Sequence, residues 1–192
     1  MARTPTVQLE LGYQAPDFSL PNAVTGLNTS FDDVAGKYGT VVMFICNHCP
    51  FVVHVMDELV RIGTDYKNRG IGFVAISSND VANYPDDSPE LMKKLAEEKN
   101  LPFPYLYDET QEVAKAYAAA CTPDFSVFDS SGSCVYRGQL DDSRPGNDQP
   151  VNGKDLRQVL DNLIAGNAIS ADQKPSIGCN IKWKAGNEPS YY

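Results

Sequence analysis

The sequence lacks several things, and each absence narrows what the chain can be. No stretch approaches the roughly 20 consecutive apolar residues of a membrane-spanning helix. Met1 to Val7 carries one basic side chain and no apolar run follows, so no secretory leader is expected. Basic residues are in deficit, 16 Lys and Arg against 25 Asp and Glu, for a formal charge of −9. Nucleic acids and anionic membranes both demand a basic footprint, so neither is expected as a partner. There is no internal repeat and no low-complexity block. An even cysteine number is also missing: five cannot all pair within one chain. A soluble, cytoplasmic protein is the expectation. Structural disulfides are rare there, and a close cysteine pair points to redox or metal chemistry.

What is present is 192 residues, 42% of them hydrophobic, enough for one domain with a full core and no disulfide staples. The first 38 residues are loop-rich, with Gly12, Pro16, Pro21, Gly26 and Gly36. Thr40 to Ile45 is a continuous apolar run rich in β-branched residues, the signature of a strand buried on both faces. From Pro50 the period becomes helical, with Phe51, Val55, Leu59, Ile62 and Tyr66 on one face, His54, Asp57, Glu58, Arg61 and Asp65 largely on the other, and Gly70 closing. Ile71 to Ser77 reads as a second buried strand, and Ser88 caps a helix running to about Lys99. Phe103 to Tyr107 reads as a short strand, and Asp108 with Gln111 as a capping box for a helix from about Glu109 to Ala119. Phe125–Asp129 and Cys134–Arg137 flank a Ser/Gly turn as a hairpin. Asn152 is expected to cap a last helix ending at Gly166, and 167–192 reads as an aperiodic tail laid over the domain formed by 1–166. Strand–helix alternation followed by a hairpin and a helix predicts an α/β fold, a mixed central sheet covered by helices on both faces.

Cys46-Asn47-His48-Cys49 falls where the first buried strand gives way to the first long helix. That junction is expected to set the first sulfur, Cys46, at the N-terminus of the helix, where unpaired N–H groups and the positive dipole end favour a thiolate. Two-residue spacing lets a second thiol attack a mixed disulfide on the first. Cys46 is the expected nucleophile and Cys49 the resolving thiol. His48, between them, is positioned to tune the Cys46 thiolate. The competing reading is half of a structural zinc site, but no second C-x-x-C completes it.

With these residues in place, the chain resembles the thioredoxin-like superfamily, and more closely its peroxiredoxin-like branch of redoxin or AhpC/TSA type. Gly12-Tyr13-Gln14-Ala15-Pro16-Asp17-Phe18-Ser19-Leu20 is similar to the branch's N-terminal element, Cys46 to Pro50 to its active-site motif, Thr122-Pro123 to the superfamily's cis-proline, and 103–119 to a β-α insertion before it. The likeness spans about Leu11 to Gly166. It implies a thioredoxin-like fold and a thiol–disulfide oxidoreductase needing no cofactor and no resident metal. Its partners would be a protein or small-molecule disulfide or thiol and an external thiol reductant. Thr122-Pro123 would lie beside the cysteines and shape the groove for an extended partner segment.

The peroxidase signature P-x-x-x-T/S-x-x-C does not fit. Counting back from Cys49 puts Cys46 and Val42 at the Thr and Pro positions, and counting back from Cys46 puts Met43 and Gly39 there. The arginine of that signature is absent near Cys121–Asp124, with Arg137 one strand further on. Thiol–disulfide exchange is favoured over peroxide reduction, although a thiol-dependent peroxidase with an antioxidant role, or a metal module using the same cysteines, stays open as an alternative. Cys121 is either a third thiol or soft-metal ligand, or a small core residue. Cys134 reads as structural. Cys179, in a tail docked by Ile177, Ile181 and Trp183, is either a second resolving thiol or packing. His54 is expected to pair with Glu58 or Asp57 on the helix surface. A copper site with the cysteines is disfavoured, because it lies roughly 500° of helix turn from Cys49.

Overall fold

The computed structural model describes residues 3–191. Its strands are β1 (Arg3–Pro5), β2 (Ser19–Pro21), β3 (Asn28–Ser30), β4 (Gly39–Phe44), β5 (Ile71–Ser77), β6 (Tyr105–Tyr107), β7 (Cys121–Thr122), β8 (Asp124–Asp129), β9 (Cys134–Gly138) and β10 (Ile177–Asn180). Its helices are α1 (Phe31–Val34), α2 (Pro50–Lys67), α3 (Pro89–Lys99), α4 (Glu112–Ala116) and α5 (Lys154–Ala165). The central sheet has the order β6-β5-β4-β8-β9, with β4, β5 and β6 parallel and β8 and β9 antiparallel.

The continuous hydrophobic run of β4 has its cause here. It is flanked by β5 and β8, and both its faces are covered, so every residue is buried. Val41 and Met43 face a cluster built with α2, α3 and α5, which also holds Cys46, Cys49 and Cys179. Val42 and Phe44 face an aromatic cluster of Phe18, Tyr117 and Phe128 that Ile181 and Trp183 of the tail complete. Tyr117 and Phe128 meet edge-on at 5.8 Å, the arrangement aromatic quadrupoles prefer.

Several sequence expectations are corrected. The tail is not without regular structure: β10 lies between β1 and β7 in a second sheet, with Cys179 opposite Thr122 and Arg3 opposite Cys179. A Cβ on Gly178 would stand 1.9 Å from the Thr122 carbonyl oxygen, so only glycine lets the tail backbone approach this closely. Asp108 and Gln111 do not form a capping box. Gln111 is left-handed (φ 66°) and Asp108 is buried, accepting from the Ser78 hydroxyl and the Ala114 amide, so the helix begins only at Glu112. It stops at Ala116, because Ala118 takes a left-handed φ of 48° before the chain extends into β7. The last helix is capped by Gly153, whose Cβ would meet Ile62 Cδ1 at 2.5 Å; Asn152, one residue earlier, still accepts from the Lys154 amide. Residues 103 and 104 fall outside β6, and the loop-rich N-terminus contributes three short strands and α1. No helix among the described residues is long and apolar enough to cross a membrane.

Candidate active site

Cys46 follows β4 at the carboxyl end of the parallel strands, where ligands of open α/β sheets bind. Four residues later, at Pro50, the chain enters α2. Cys49, not Cys46, is the N-cap, and Pro50 fills the first helical position. The helix terminus therefore acts most directly on Cys49, because the Asn47-His48 turn sets Cys46 back from it. All five cysteines are buried.

Thr122 serves both sulfurs. Its hydroxyl lies 3.5 Å from Cys46 Sγ, and its carbonyl oxygen accepts from Cys49 Sγ at 3.1 Å. The Thr122–Pro123 peptide is cis. The two thiols titrate as a pair. The hydrogen bond from Cys46 pushes Cys49 down to about 4, helped by the Thr122 hydroxyl, the Cys179 thiol and the Val52 amide against the cost of burial. That same bond, burial and the Asp87 charge push Cys46 well up, with the Thr122 hydroxyl opposing. The two sulfurs share one proton when the pair is singly ionised: the hydrogen bond from Cys46 favours the anion on Cys49, and the Thr122 carbonyl, which only accepts, favours the proton there.

His48 is turned toward Asp87: its Nδ1 lies 2.6 Å from Asp87 Oδ2, and its ring stacks on Tyr84 at 5.6 Å. A carboxylate only accepts, so Nδ1 carries the hydrogen. Asp87 is fully buried and also accepts from the Asn47 amide (2.8 Å), the His48 amide (3.3 Å) and Asn79 Nδ2 (2.7 Å). Asn47 is further held by the buried Tyr105 hydroxyl. A ring nitrogen of His48, a carboxylate oxygen of Asp87 and Cys46 Sγ lie within 4.8 Å of one another, the one such cluster of three potential metal ligands among the described residues.

The remaining candidates divide. Cys179 joins the site: it is buried opposite Thr122 and shares one buried cluster with Cys46 and Cys49, whose anion it helps to favour. Cys121 Sγ turns to the Pro123 carbonyl at 3.6 Å, and burial followed by the Asp124 charge pushes its thiol well up. Cys134 packs in the aromatic cluster on the opposite sheet face. His54 does not pair with Glu58. Glu58 is buried and taken by Arg61 (2.6 Å) and by Arg157 of α5 (2.8 Å), while Asp57, Arg61 and Asp65 of the same face stay exposed. Arg137 is buried and committed to Asp124 (3.6 Å), the Ser126 hydroxyl and the carbonyls of Val7 and Ala118, so it braces the Asp124 corner. Sequence reading missed Asp87, Asn79, Tyr84 and Tyr105. Their one signal is position, on segments following β5 or in β6, at the same end of the parallel strands as Cys46.

The Redoxin family model matches residues 10–156. Among solved structures, the fold is similar to that of an uncharacterized conserved protein from Geobacillus kaustophilus, at 59% identity and TM-score 0.94, covering 96% of this chain and 97% of that one. A hypothetical protein from Sinorhizobium meliloti is 43% identical with TM-score 0.93, covering 95% of this chain and 100% of that one. A putative thioredoxin from Neisseria meningitidis is 26% identical with TM-score 0.60, covering 82% and 91%. A search of curated proteins found no match. The architecture is thioredoxin-like, a mixed sheet with flanking helices.

Proposed function

The chain belongs to the Redoxin family, and from that premise we propose that it is a thiol–disulfide oxidoreductase in which Cys46 attacks and Cys49 resolves. The observation that carries this reading is the double service of Thr122, hydroxyl to Cys46 and carbonyl to Cys49. As a substrate disulfide reaches Cys46, its proton passes to Cys49, which has the carbonyl ready as acceptor. The Cys46 thiolate, held by the Thr122 hydroxyl, attacks one substrate sulfur; the S–S bond breaks and its electron pair leaves on the other sulfur as thiolate. Cys49 then gives up its proton and attacks Cys46 Sγ, releasing the second thiol and leaving the Cys46–Cys49 disulfide. An external thiol reductant reverses the sequence with two electrons.

Because β10 takes the β7 edge at Thr122, an extended partner segment cannot pair there without displacing it. The half-exposed Asn47-His48 turn, with Tyr84 beside it, is the proposed approach for a protein or small-molecule disulfide. Cys46→Ser is expected to abolish turnover of a chromogenic aromatic disulfide with dithiol reductant, and Cys49→Ser to arrest as a mixed disulfide on Cys46. Retained turnover in Cys46→Ser would refute the assignment.

Metal binding is a second reading, favoured by the Cys46–His48–Asp87 cluster. It is weakened by the four N–H groups already bound to Asp87. Stoichiometric metal in reduced, as-purified protein, lost on thiol alkylation, would establish it.

A further inference from the structure

The dithiol reading leaves one sulfur at the site without a role. Cys49 has two thiol neighbours, Cys46 on its own loop and Cys179 on the tail strand, and all three share one buried cluster. Cys179 reaches it because β10 is pinned on both sides. It pairs with β1 and β7, packs against α2, and is anchored before the strand by Ser176, whose hydroxyl donates to the Pro123 carbonyl at 2.7 Å. After the strand, Ile181 bonds the Ala120 carbonyl, and Lys182 is held by Asn79 Oδ1 through its amide and by Gln111 Nε2 through its carbonyl. These anchors lie on either side of Cys179 and hold it opposite Thr122, whose carbonyl accepts from Cys49 at 3.1 Å.

Resting on the Cys46–Cys49 assignment, we propose that Cys179 is a third redox thiol of this centre, exchanging with the Cys46–Cys49 disulfide to give a Cys49–Cys179 disulfide and a regenerated Cys46 thiol. Cys179 Sγ attacks Cys49 Sγ; the Cys46–Cys49 bond breaks as the Cys49–Cys179 bond forms, and its electron pair leaves on Cys46. Cys179 is oxidised, Cys46 is reduced by the same amount, and the proton given up by Cys179 ends on Cys46. No outside oxidant or reductant enters this step.

The reduced state restrains this chemistry and oxidation releases it. Burial, then the hydrogen bond and charge of Cys49, push the Cys179 thiol up to about 12, with Lys182 opposing. Two of those three upward causes are the Cys49 anion itself. Once Cys49 is in a disulfide they vanish, and Cys179 becomes easier to ionise when its target appears. The exchange moves the oxidising equivalent from the loop to the tail strand and leaves Cys46 free to take a second substrate sulfur.

Disulfide mapping by peptide mass spectrometry on the full chain, after equilibration with mixed oxidised and reduced glutathione and acid quench, tests this. Wild-type protein is expected to yield both Cys46–Cys49 and Cys49–Cys179 peptides. Cys46→Ser is expected to yield Cys49–Cys179 as its main internal disulfide, and Cys179→Ser only Cys46–Cys49. Wild-type protein that forms Cys46–Cys49 but never Cys49–Cys179, or links Cys49 to Cys121 instead, overturns the proposal while sparing the dithiol reading. If Cys46→Ser does not fold, the wild-type map alone decides. Absence of the Cys46–Cys49 bond in folded wild-type protein would instead overturn the dithiol reading itself.

Discussion

The two flanks of the cysteine pair are built from different chemistry. On one flank the buried carboxylate of Asp87 gathers two backbone amides, the His48 ring and the Asn79 amide. On the other, Thr122 offers a carbonyl and a hydroxyl, and Cys179 a thiol. The Asp87 flank fixes the shape of the Asn47-His48 turn, and its charge works against an anion on Cys46. The Thr122 flank distributes the single proton. Shape and protonation are thus set from opposite sides of the same two sulfurs, so they should respond to different substitutions.

The largest expected effect is on the shape flank. Asp87→Ala strips the acceptor from four donors in or near the core, each orphaned buried donor costing about 1–3 kcal/mol before water or relaxation recovers part. A net loss of about 3–5 kcal/mol of folding stability is expected in urea denaturation of the reduced protein. A loss below about 1 kcal/mol would break the distinction. The isosteric Asp87→Asn should lose less stability and, with the charge gone, lower the Cys46 thiol.

The next effect is a pH dependence from the Thr122 flank. Cys49 is held at about 4 in the folded chain against an ordinary value of 9.0. Between those values the unfolded chain carries the extra proton, so this thiolate contributes stability that is full above 9.0 and lost as pH falls through about 4. Ultraviolet thiolate absorbance of the reduced protein, and its rate of alkylation by iodoacetamide, are expected to hold on descending from neutral pH and collapse only near 4. A midpoint near 9.0 would show that the shared hydrogen bonds do not hold the anion.

The smallest effect is Thr122→Val, which keeps the carbonyl and removes the hydroxyl. The thiolate midpoint should rise by about one pH unit, equivalent to roughly 1.4 kcal/mol. Folding stability should change by less than Asp87→Ala. A stability loss equal to that of Asp87→Ala with no shift in midpoint would reverse the roles assigned to the two flanks.

What the sequence discloses is the local half of this arrangement. The uninterrupted run of β4, the Pro at the start of α2, the Ser88 cap and the C-x-x-C all depend on neighbours a few residues away, and each lands within a residue or two of its expected place. The joining of Thr122-Pro123 to the cysteines was accessible through family resemblance. Asp87 was not legible: its partners lie some forty residues back, and locally it is one acid before a capped helix. Glu58 misleads for the same reason, since a carboxylate on a helix reads as exposed until Arg157 from α5 is folded over it. The tail has no period because β10 is short and stabilised by register with β1 and β7 rather than by its own pattern.

The seat of β10 between β1 and β7 has a bearing on biosynthesis. The strand emerges from the ribosome after every other described element, yet it pairs with Thr122, whose carbonyl accepts from Cys49. A nascent chain can close its central sheet and bring Cys46 and Cys49 together while Thr122 still has an open edge. In that interval the two sulfurs would meet the reductants and oxidants of the cell without the tail in place. Closure of the Thr122 edge therefore waits on β10, a dependence that no substitution within the C-x-x-C itself would change.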